Sequence, residues 1–388
     1  MRIACVHQGY ELYGSDRSFA ESVAAIRRAY PDAQIDVVLP RTGPIIALLE
    51  GNCSRILFEP LWVLRRRYIL RLLTIGLFHL PAAIARSAAR FRAYDVVYIN
   101  TSVIADYIIT ARFFPNRSLL HIHEMPAGLT LRVLRAMVRW SRAEIIFNSR
   151  ATQAAFALPD RIVAHVIYNG LRGPAAPEPV TYDGQRPLRL AMLGRIDPKK
   201  GQQVLLEAIA MLPAPLRKRA QIRMVGNAFE NPQRELALHQ LVRKLELEDT
   251  VSIEPFSPEP ALLYRWADVI VVPSVVGEAL GRVAIEAMAF GRPPIVSAIG
   301  GLKEIVEDER TGWLVPPKRP DALAITLQRI IENPAAWHGF AAAGHARYNA
   351  LFSEEVVDAA IASVIAGKLA DHGARPARKG FLTSVEVH

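Results

Sequence analysis

Short runs of β-branched and aliphatic residues alternate with longer stretches of helical periodicity along most of this chain. Such apolar runs are typical of strands buried on both faces, and helices between them favour parallel pairing. The strands predicted in the first half are Met1–His7, Gln34–Leu39, Asp95–Asn100, Ser118–Ile122, Glu144–Phe147 and His165–Tyr168. Those predicted in the second half are Leu188–Leu193, Gln221–Val225, Thr250–Ile253, Asp268–Val272, Pro294–Ser297 and Gly312–Val315. This order predicts an α/β fold of parallel sheets with helices on both faces.

A segment rich in proline and glycine interrupts the alternation at residues 171–187. Because this composition disfavours helices and strands, we predict a linker between two domains. The first would span residues 1–170 and the second residues 188–350, each Rossmann-like, with a ligand cleft between them at the carboxyl ends of the strands. A helix at 351–370 is predicted to return to the first domain, and residues 371–388 to form a flexible tail.

Composition excludes several classes of protein. The 388 residues are 51% hydrophobic and 22% charged, with a mean hydropathy of +0.15, which excludes a disordered, collagenous or coiled-coil protein. Cys5 and Cys53 are the only cysteines, so neither a disulfide framework nor a cysteine-rich metal site can form. The amino terminus lacks the apolar core of a signal peptide, and the apolar stretch Leu72–Ala85 is too short to span a bilayer. We therefore expect a cytoplasmic protein.

Positive charge is concentrated in the first half, where residues 1–170 hold 21 arginines, no lysine and 12 acidic residues. Between Pro60 and Tyr94 no acid accompanies the arginines, which are Arg65, Arg66, Arg67, Arg71, Arg86, Arg90 and Arg92. A second set at helical spacing consists of Arg132, Arg135, Arg139 and Arg142. Basic amphipathic helices favour peripheral binding to an anionic membrane surface, here the inner face of the cell membrane. The alternative is a solvated helix face, and nucleic acid is not expected because no recognition motif is present.

The densest candidate site is the segment GEALGRVAIEAMAFGRP in the second half. Glu278 follows a predicted strand, and Glu286 lies eight residues later on a helix predicted to start near Leu280. The small residues Ala279 and Gly281 would leave the first N–H groups of that helix open to an anion. Eight helical residues rise about 12 Å, so the two carboxylates could bind opposite ends of a nucleoside diphosphate sugar. Solvent-facing glutamates are the alternative, which the apolar run VAIEAMAF around the second carboxylate disfavours.

A second candidate site, LGRIDPKKG, joins a predicted strand to a helix and contains Arg195 and Lys200. Cations at such a turn suit a pyrophosphate, because Arg offers a fork of hydrogen bonds and Lys a point charge. A solvated turn is the alternative. The turn is expected to face the same edge of the sheet as Glu278.

These motifs resemble those of retaining glycosyltransferase family 4, which has the two-domain GT-B fold. Glu278-x7-Glu286 with AMAFGRP is similar to the E-x7-E signature of the family, and GRIDPKKG to its phosphate motif. The segments MVGN, ADVIVVPS and TGWLVPP also match in order. In the first half, YGSDR resembles the glycine loop, HIHEMP the histidine loop, and NSR and YNG the end of the domain. The family often has Asp after that last glycine, where this chain has Leu171.

The resemblance implies roles in the second domain, which would bind the nucleotide sugar. Glu286 would bind the ribose hydroxyls, and Arg195 and Lys200 the pyrophosphate. Glu278 would hold the donor sugar. The backbone N–H groups that assist it would be those of Ala279, Leu280 and Gly281.

In the first domain, which would bind the acceptor, the resemblance implies that Gly14 and Ser15 approach the phosphate. His123 would lie beside the reacting carbon of the donor sugar. His121, two residues earlier on the strand, would point to the same face but deeper in. The residues predicted to be catalytic are therefore His123, Glu278, Arg195 and Lys200.

The expected reaction is transfer of a sugar from a UDP- or GDP-sugar, with retention of the anomer, to an envelope glycan or a lipid-linked acceptor. The leaving diphosphate would take the proton of the acceptor, and the cations would stabilise its charge. No Asp-x-Asp occurs in the sequence, so no metal or other cofactor is expected. Two alternatives are an epimerase-like enzyme of the same fold and a non-catalytic basic membrane-binding protein.

Overall fold

The computed structural model of this chain forms two compact units. It describes residues 1–12, 14–64, 74–228 and 231–370. The first unit comprises Met1–Asn148, Gln153–Ile167 and the chain from Val357 onward. The second comprises Ser149–Thr152 and Tyr168–Val356. Each unit is built around one parallel sheet, so the predicted α/β class is confirmed.

Within the described residues, the first sheet has seven parallel strands in the order β3-β2-β1-β4-β5-β6-β7. Their bounds are β1 Arg2–Val6, β2 Gln34–Leu39, β3 Arg55–Phe58, β4 Val96–Ile99, β5 Ser118–Ile122, β6 Glu144–Phe147 and β7 Ala164–Val166. The edge strand β3 was not predicted. Its residues are largely half-exposed, because only one neighbouring strand covers it, so its sequence lacks a continuous apolar run.

Helices cover both faces of the first sheet. Apolar side chains of the helices Gly14–Ala29 and Glu354–Ala370 form one core with the strands. The helices Ile75–Ala93, Ala105–Ala111 and Gly128–Ser141 supply residues to the core on the other face. The remaining helices described in this half are Ile46–Leu49, Pro115–Arg117 (a 3-10 turn) and Arg150–Phe156.

The second sheet has six parallel strands in the described residues, in the order β10-β9-β8-β11-β12-β13. Their bounds are β8 Leu188–Leu193, β9 Ala220–Val225, β10 Val251–Glu254, β11 Val269–Val272, β12 Pro294–Ser297 and β13 Trp313–Val315. The helices around it are Gln202–Met211, Ala214–Arg217, Pro232–Lys244, Ala261–Trp266, Arg282–Ala289, Leu302–Ile305, Pro320–Glu332, Pro334–Trp337 (3-10) and Phe340–Leu351. Two apolar cores, one on each face, hold these helices to the sheet.

Residues 171–187, predicted as a linker, are part of the second unit. Tyr182 is 2% exposed and its ring stacks on Trp337 at 5.9 Å, so this segment contributes to the core. Leu171 donates its N–H to the carbonyl of Phe352 at 3.2 Å. The segment is therefore a coil that packs against the second unit. Its proline and glycine content indicates that it forms no helix or strand, but it does not indicate whether the segment is packed.

The helix Glu354–Ala370 belongs to the first unit from Val357 onward. Ile361 and Ile365 are buried in the core of that unit, and Arg28 forms an ion pair with Asp358 at 2.6 Å. No helix in the described ranges is long and apolar enough to cross a membrane. The predicted tail at 371–388 lies outside the described residues.

Candidate functional site

The order of strands reverses direction once in each sheet. In the first sheet the reversal falls between β1 and β4, and in the second it falls between β8 and β11. Open parallel sheets bind ligands beyond the carboxyl ends of the strands at this point, because the adjacent connections leave in opposite directions. The motif with Arg195 and Lys200 follows β8, and the loop with Glu278 follows β11. The two predicted motifs of the second unit therefore lie where its strand order reverses, which we call the switch point of the sheet.

Hydrogen bonds stabilise the turn after β8. The carboxylate of Asp197 accepts from the backbone N–H of Lys199 at 3.0 Å and from Arg234 at 2.6 Å. Burial raises the pKa of Asp197, but these hydrogen bonds and Arg234 outweigh it and lower the pKa below its usual value. The carbonyl of Lys199 accepts the N–H of Val275 at 2.8 Å, which ties this turn to the loop after β11. These hydrogen bonds hold the backbone of the turn from which the exposed side chain of Arg195 extends.

The structure brings Lys200 and Glu278 together. The ammonium Nζ lies 2.9 Å from Oε1 of the carboxylate, and the hydroxyl of Ser274 donates to the same oxygen. The Lys200 side chain is 35% exposed and that of Glu278 is 18% exposed, so both groups reach solvent. The edge of the second sheet therefore presents a cation and a carboxylate side by side. Sequence reasoning missed Ser274, which lies in the strand-end segment ADVIVVPS.

The helix after Glu278 starts at Arg282, two residues later than predicted. Gly281 precedes it with φ +107°, a left-handed conformation that interrupts the helical geometry. Glu278 thus lies in a loop before the helix, and the helical rise does not measure its separation from Glu286. The carbonyl of Ala279 accepts the hydroxyl of Thr152 at 3.3 Å, and Leu280 is 2% exposed in the core, so packing fixes this loop.

The carboxylate of Glu286 is partly buried, with a side chain that is 18% exposed, and it has two hydrogen-bond partners. Its Oε1 accepts from Nε of Arg282 at 2.6 Å, and its Oε2 accepts from the hydroxyl of Tyr264 at 2.5 Å. Tyr264 is buried, and burial together with the adjacent carboxylate raises its pKa well above the usual value. A carboxylate oxygen accepts more than one hydrogen bond, so a ribose hydroxyl can still bind Glu286. Arg282 was detectable from its i, i+4 spacing to Glu286, whereas Tyr264 had no signal in the sequence.

In the first unit, His123 follows β5 and its Nε2 lies 2.9 Å from Oδ1 of Asn100. His121 is 1% exposed, and the centroids of the two histidine rings are 3.9 Å apart. Gly14 and Ser15 are the exposed first residues of the helix Gly14–Ala29. The switch point of this sheet thus carries polar side chains as well. Sequence reasoning missed Asn100, although it directly follows a buried apolar strand.

The predicted basic face is divided in the structure. Arg90 forms an ion pair with Glu59, and Arg135 donates to the carbonyl of Ala155 at 2.6 Å. These two arginines therefore bind other parts of the first unit. The exposed arginines of the two sets, as far as the structure describes them, are Arg86, Arg92, Arg132, Arg139 and Arg142. The predicted Arg65, Arg66, Arg67 and Arg71 lie outside the described residues.

Exposed apolar side chains accompany the arginines of the helix Gly128–Ser141. Leu129 is 73% exposed, Val133 46% and Trp140 49%. The guanidinium of Arg112 lies over the ring of Trp140 at 4.0 Å. This helix therefore combines exposed apolar and exposed basic side chains. Within the ranges that the structure describes, no group of His, Cys, Asp and Glu side chains could hold a metal ion.

Residues 183–347 match the family model of glycosyl transferases group 1. A D-inositol 3-phosphate glycosyltransferase of Streptosporangium roseum is 36% identical over 188 residues, which are 47% of this chain and 43% of that protein. A protein with the same name from Thermomonospora curvata is 38% identical over 167 residues, 41% of this chain and 38% of that protein. The chain thus spans less than half the length of these curated relatives.

Solved structures are similar over nearly the whole chain. The HepE protein of Anabaena in complex with UDP and glucose is 24% identical with a TM-score of 0.76, covering 94% of this chain and 99% of that one. Sucrose-phosphate synthase of Thermosynechococcus elongatus is also 24% identical with a TM-score of 0.76, covering 96% and 100%. At these identities the similarity shows the fold, which is the predicted GT-B fold of two Rossmann-like domains.

Proposed function

We propose that this chain is a glycosyltransferase of group 1, whose family model residues 183–347 match, and that it moves a sugar from a nucleoside diphosphate sugar to an acceptor. The observation that carries the proposal is the contact between Lys200 and Glu278 at the switch point of the second sheet. Cations favour the binding of a pyrophosphate, and a carboxylate accepts a hydrogen bond from a sugar hydroxyl. The two strand ends supply one of each within 2.9 Å.

Each predicted site residue of the second unit has a place in this proposal. Arg195 and Lys200 bind the pyrophosphate, and Glu286 binds the ribose hydroxyls. Its contacts with Arg282 and Tyr264 support that role, because they fix the orientation of the carboxylate before the nucleotide arrives. Glu278 holds the donor sugar. The backbone N–H groups that assist it are those of Ala279, Leu280 and Gly281.

In the first unit, we propose that Gly14 and Ser15 approach the phosphate and that His123 contacts the donor sugar. The reaction retains the anomer by attack on the face that the diphosphate leaves. The bond from the anomeric carbon to the diphosphate oxygen breaks, and the bond to the acceptor oxygen forms. The proton of the acceptor hydroxyl passes to the leaving diphosphate, whose growing charge Arg195 and Lys200 stabilise. No metal ion takes part in these steps.

The proposed acceptor is an envelope glycan or a lipid-linked molecule at an anionic membrane surface. The exposed Arg132 and Arg139 on the helix Gly128–Ser141 support this, together with the exposed Leu129 and Trp140 beside them. Arginine attracts anionic headgroups, while tryptophan and leucine favour the boundary between headgroups and acyl chains. The enzyme would then be a peripheral protein at the inner face of the cell membrane.

The test is product analysis. A thermal-shift screen of UDP-, GDP- and ADP-sugars selects the donor, because a bound ligand raises the melting temperature. The selected donor is then incubated with lipid-linked acceptors, with glycans and with D-inositol 3-phosphate, the molecule that names the relatives. We expect acceptor-dependent transfer, with the anomeric configuration retained by NMR and activity that persists in EDTA. An epimerised sugar formed without acceptor would instead indicate an epimerase-like enzyme. If no nucleotide sugar stabilises the protein, the proposal is wrong.

A further inference from the structure

The loop that follows β11 is held at two consecutive carbonyl groups. The carbonyl of Glu278 accepts the N–H of Gly301 at 2.9 Å. The next carbonyl, that of Ala279, accepts the hydroxyl of Ser149, and Oγ1 of Thr152 lies 3.3 Å from the same oxygen. Ser149 and Thr152 are both 0% exposed, so protein encloses the two hydroxyls. We call the contacts of these two hydroxyls with the carbonyl the loop clamp.

The segment that supplies the loop clamp is itself anchored within the second unit. Oγ of Ser149 lies 2.9 Å from Oγ1 of Thr152 and accepts the N–H of Thr152 at 3.0 Å. The carboxylate of Glu304 accepts the two N–H groups between them, from Arg150 at 2.9 Å and from Ala151 at 2.7 Å. The position of the two hydroxyls is therefore fixed by the backbone that carries them.

Two glycines allow the loop to pack this closely. A Cβ atom at Gly301 would lie 2.4 Å from the carbonyl oxygen of Ala279 and 2.6 Å from Cα of Leu280. A Cβ atom at Gly281 would lie 2.3 Å from Cδ2 of Leu302, and the φ of this glycine is +107°. The peptide group between Ala279 and Leu280 therefore cannot turn over unless its neighbours move.

The loop clamp also determines where two N–H groups point. Both peptide groups are trans, and a trans peptide directs its C=O and its N–H in opposite directions. Because Gly301 holds the carbonyl of Glu278, the N–H of Ala279 points away from Gly301. Because the loop clamp holds the carbonyl of Ala279, the N–H of Leu280 points away from the two hydroxyls. Neither N–H donates to an acceptor within the described part of the chain, so both are available to a ligand.

We infer that Ser149 and Thr152 are positioning residues, which orient the peptide group between Ala279 and Leu280 so that its N–H faces the donor sugar. A sugar hydroxyl can donate to the nearby carboxylate of Glu278 and accept an N–H at the same oxygen. A phosphate oxygen only accepts, and the carboxylate would repel it. The identity of the ligand rests on the proposed function, whereas the orientation of the peptide group does not.

The first experiment observes this peptide group directly and needs no ligand. The full chain is labelled with 13C at the carbonyl of alanine and with 15N in leucine, so an HNCO spectrum detects only Ala–Leu pairs. The absence of one signal in Leu280→Met assigns the pair Ala279–Leu280. We expect Ser149→Ala to move the carbonyl resonance upfield, because it removes a hydrogen bond to that oxygen. Ser149→Ala combined with Thr152→Val should move it further.

Thr326→Val is the matched control, because the hydroxyl of Thr326 also donates to an alanine carbonyl, that of Ala322, at 3.0 Å. It should move the signal of the pair Ala322–Leu323 and leave that of Ala279–Leu280 unchanged. An unchanged Ala279–Leu280 signal in the folded double variant overturns the inference. If the double variant does not fold, the comparison of Thr152→Val with Thr152→Ser decides, since only serine keeps the hydroxyl.

The second experiment separates positioning from a general structural role. Calorimetry compares the binding of UDP-glucose and of UDP, or of the GDP or ADP pair if the thermal-shift screen selects it. We expect Ser149→Ala to bind UDP-glucose about fivefold more weakly, because one oriented hydrogen bond is lost, and UDP as tightly as the wild type does. Thr152→Ser, which keeps both hydroxyls, should retain the affinity for UDP-glucose.

The possible results of the second experiment are distinct. Equal losses for UDP-glucose and UDP in Ser149→Ala would mean that the loop clamp only stabilises the fold, and no loss for either would mean that this N–H does not contact the sugar. Both results contradict the inference. If the wild type binds no nucleotide sugar, the proposed function is wrong, while the HNCO spectra still decide whether the two hydroxyls orient the peptide group.

Discussion

The switch points of the two sheets are equivalent in topology but carry different side chains. Between β1 and β4 the first sheet carries buried polar side chains, where His7 lies within hydrogen-bond distance of Asp16 and of Asn100. Between β8 and β11 the second sheet carries half-exposed charges, where Lys200 contacts Glu278 and Arg195 is exposed. The comparison shows that a switch point supplies a place for a ligand, while the residues that follow the strands decide which ligand.

Burial explains why the two edges differ. Charges at the second edge remain in contact with water, so they lose little solvation and stay available to a pyrophosphate. The groups of the first edge are enclosed, and a buried ion is costly unless it is fully paired. The buried carboxylate of Asp16 there lies 2.9 Å from Nε2 of His7. The contrast makes predictions that separate the charges of the second unit's site from the buried and the exposed charges of the first unit.

The largest effect is expected at the charged edge. Lys200→Ala should lower turnover on the order of a hundredfold or more, because it removes a cation from the leaving diphosphate. Steady-state kinetics with the donor selected by thermal shift measures this. Lys199→Ala is the matched control, since Lys199 is exposed in the same turn and its observed bonds are made by its backbone. A loss within about twofold in Lys200→Ala would remove the residue from the phosphate site.

Nucleotide affinity should depend on Glu286. Glu286→Ala should weaken binding of the nucleoside diphosphate by roughly 1.5–3 kcal/mol, because a charge-assisted hydrogen bond to ribose is lost. Isothermal calorimetry gives the affinity. Tyr264→Phe, which removes one bond to the carboxylate, should produce a smaller loss in the same direction. The exposed Glu332 provides the control Glu332→Gln, and equal affinities for all these proteins would show that Glu286 does not bind ribose.

The stability of the first unit should depend on pH, because it buries the carboxyl group of Asp106. Burial raises the pKa of Asp106 to about 6 from the ordinary 3.8. The folded state therefore binds this proton more tightly than the unfolded state, and stability falls as the pH rises from about 4 through 6. Asp106→Asn should remove this loss, so relative to wild type it gains about 2 kcal/mol between pH 4 and pH 7.5.

Urea unfolding of wild type and variant at the two pH values measures this difference. Asp249→Asn, at an exposed position of the second unit, is the control and should follow the wild type. If Asp106→Asn loses stability with pH as steeply as wild type does, then Asp106 is not the group that titrates.

The smallest effect is expected at the exposed basic helix of the first unit. Arg139→Gln should weaken binding to anionic vesicles about fivefold, because one arginine near such a surface contributes about 1 kcal/mol. Co-sedimentation should also show weaker binding at higher salt and none to neutral vesicles. Arg243→Gln makes the same charge change at an exposed site of the second unit and should leave binding unchanged. Equal losses in both variants would mean that net charge, and not this helix, attracts the membrane.

Much of the fold could be predicted from the sequence because the signal is local. Buried parallel strands are continuous apolar runs, and the predictions for Ser118–Ile122, Glu144–Phe147 and Leu188–Leu193 match the observed bounds. The half-exposed edge strand Arg55–Phe58 lacks such a run and was missed. The start of the helix at Arg282 was misplaced, because the positive φ of the glycine before it is set by the loop.

The candidate site could be predicted only in part. Lys200 and Glu278 were expected at one edge of the sheet, because each belongs to a motif that follows a strand, and the structure brings them into contact. Tyr264 was missed because it reaches Glu286 from a different helix, 22 residues earlier. Asn100 was missed for the same reason, since it reaches His123 from a different strand end, 23 residues earlier.

The sequence by itself determined which segments are strands and helices, because the periodicity of apolar residues is a local property of the sequence. It also determined that polar and charged residues follow the strands. The tertiary structure decided which of these residues come into contact, because contact depends on which strands are neighbours in the sheet. The apolar runs of the strands are alike, so the sequence did not determine that order. The neighbours β1 and β4 bring His7 to Asn100, and β8 and β11 bring Lys200 to Glu278. Hydrogen bonds act over about 3 Å, so the chemistry of each edge exists only once its sheet has formed.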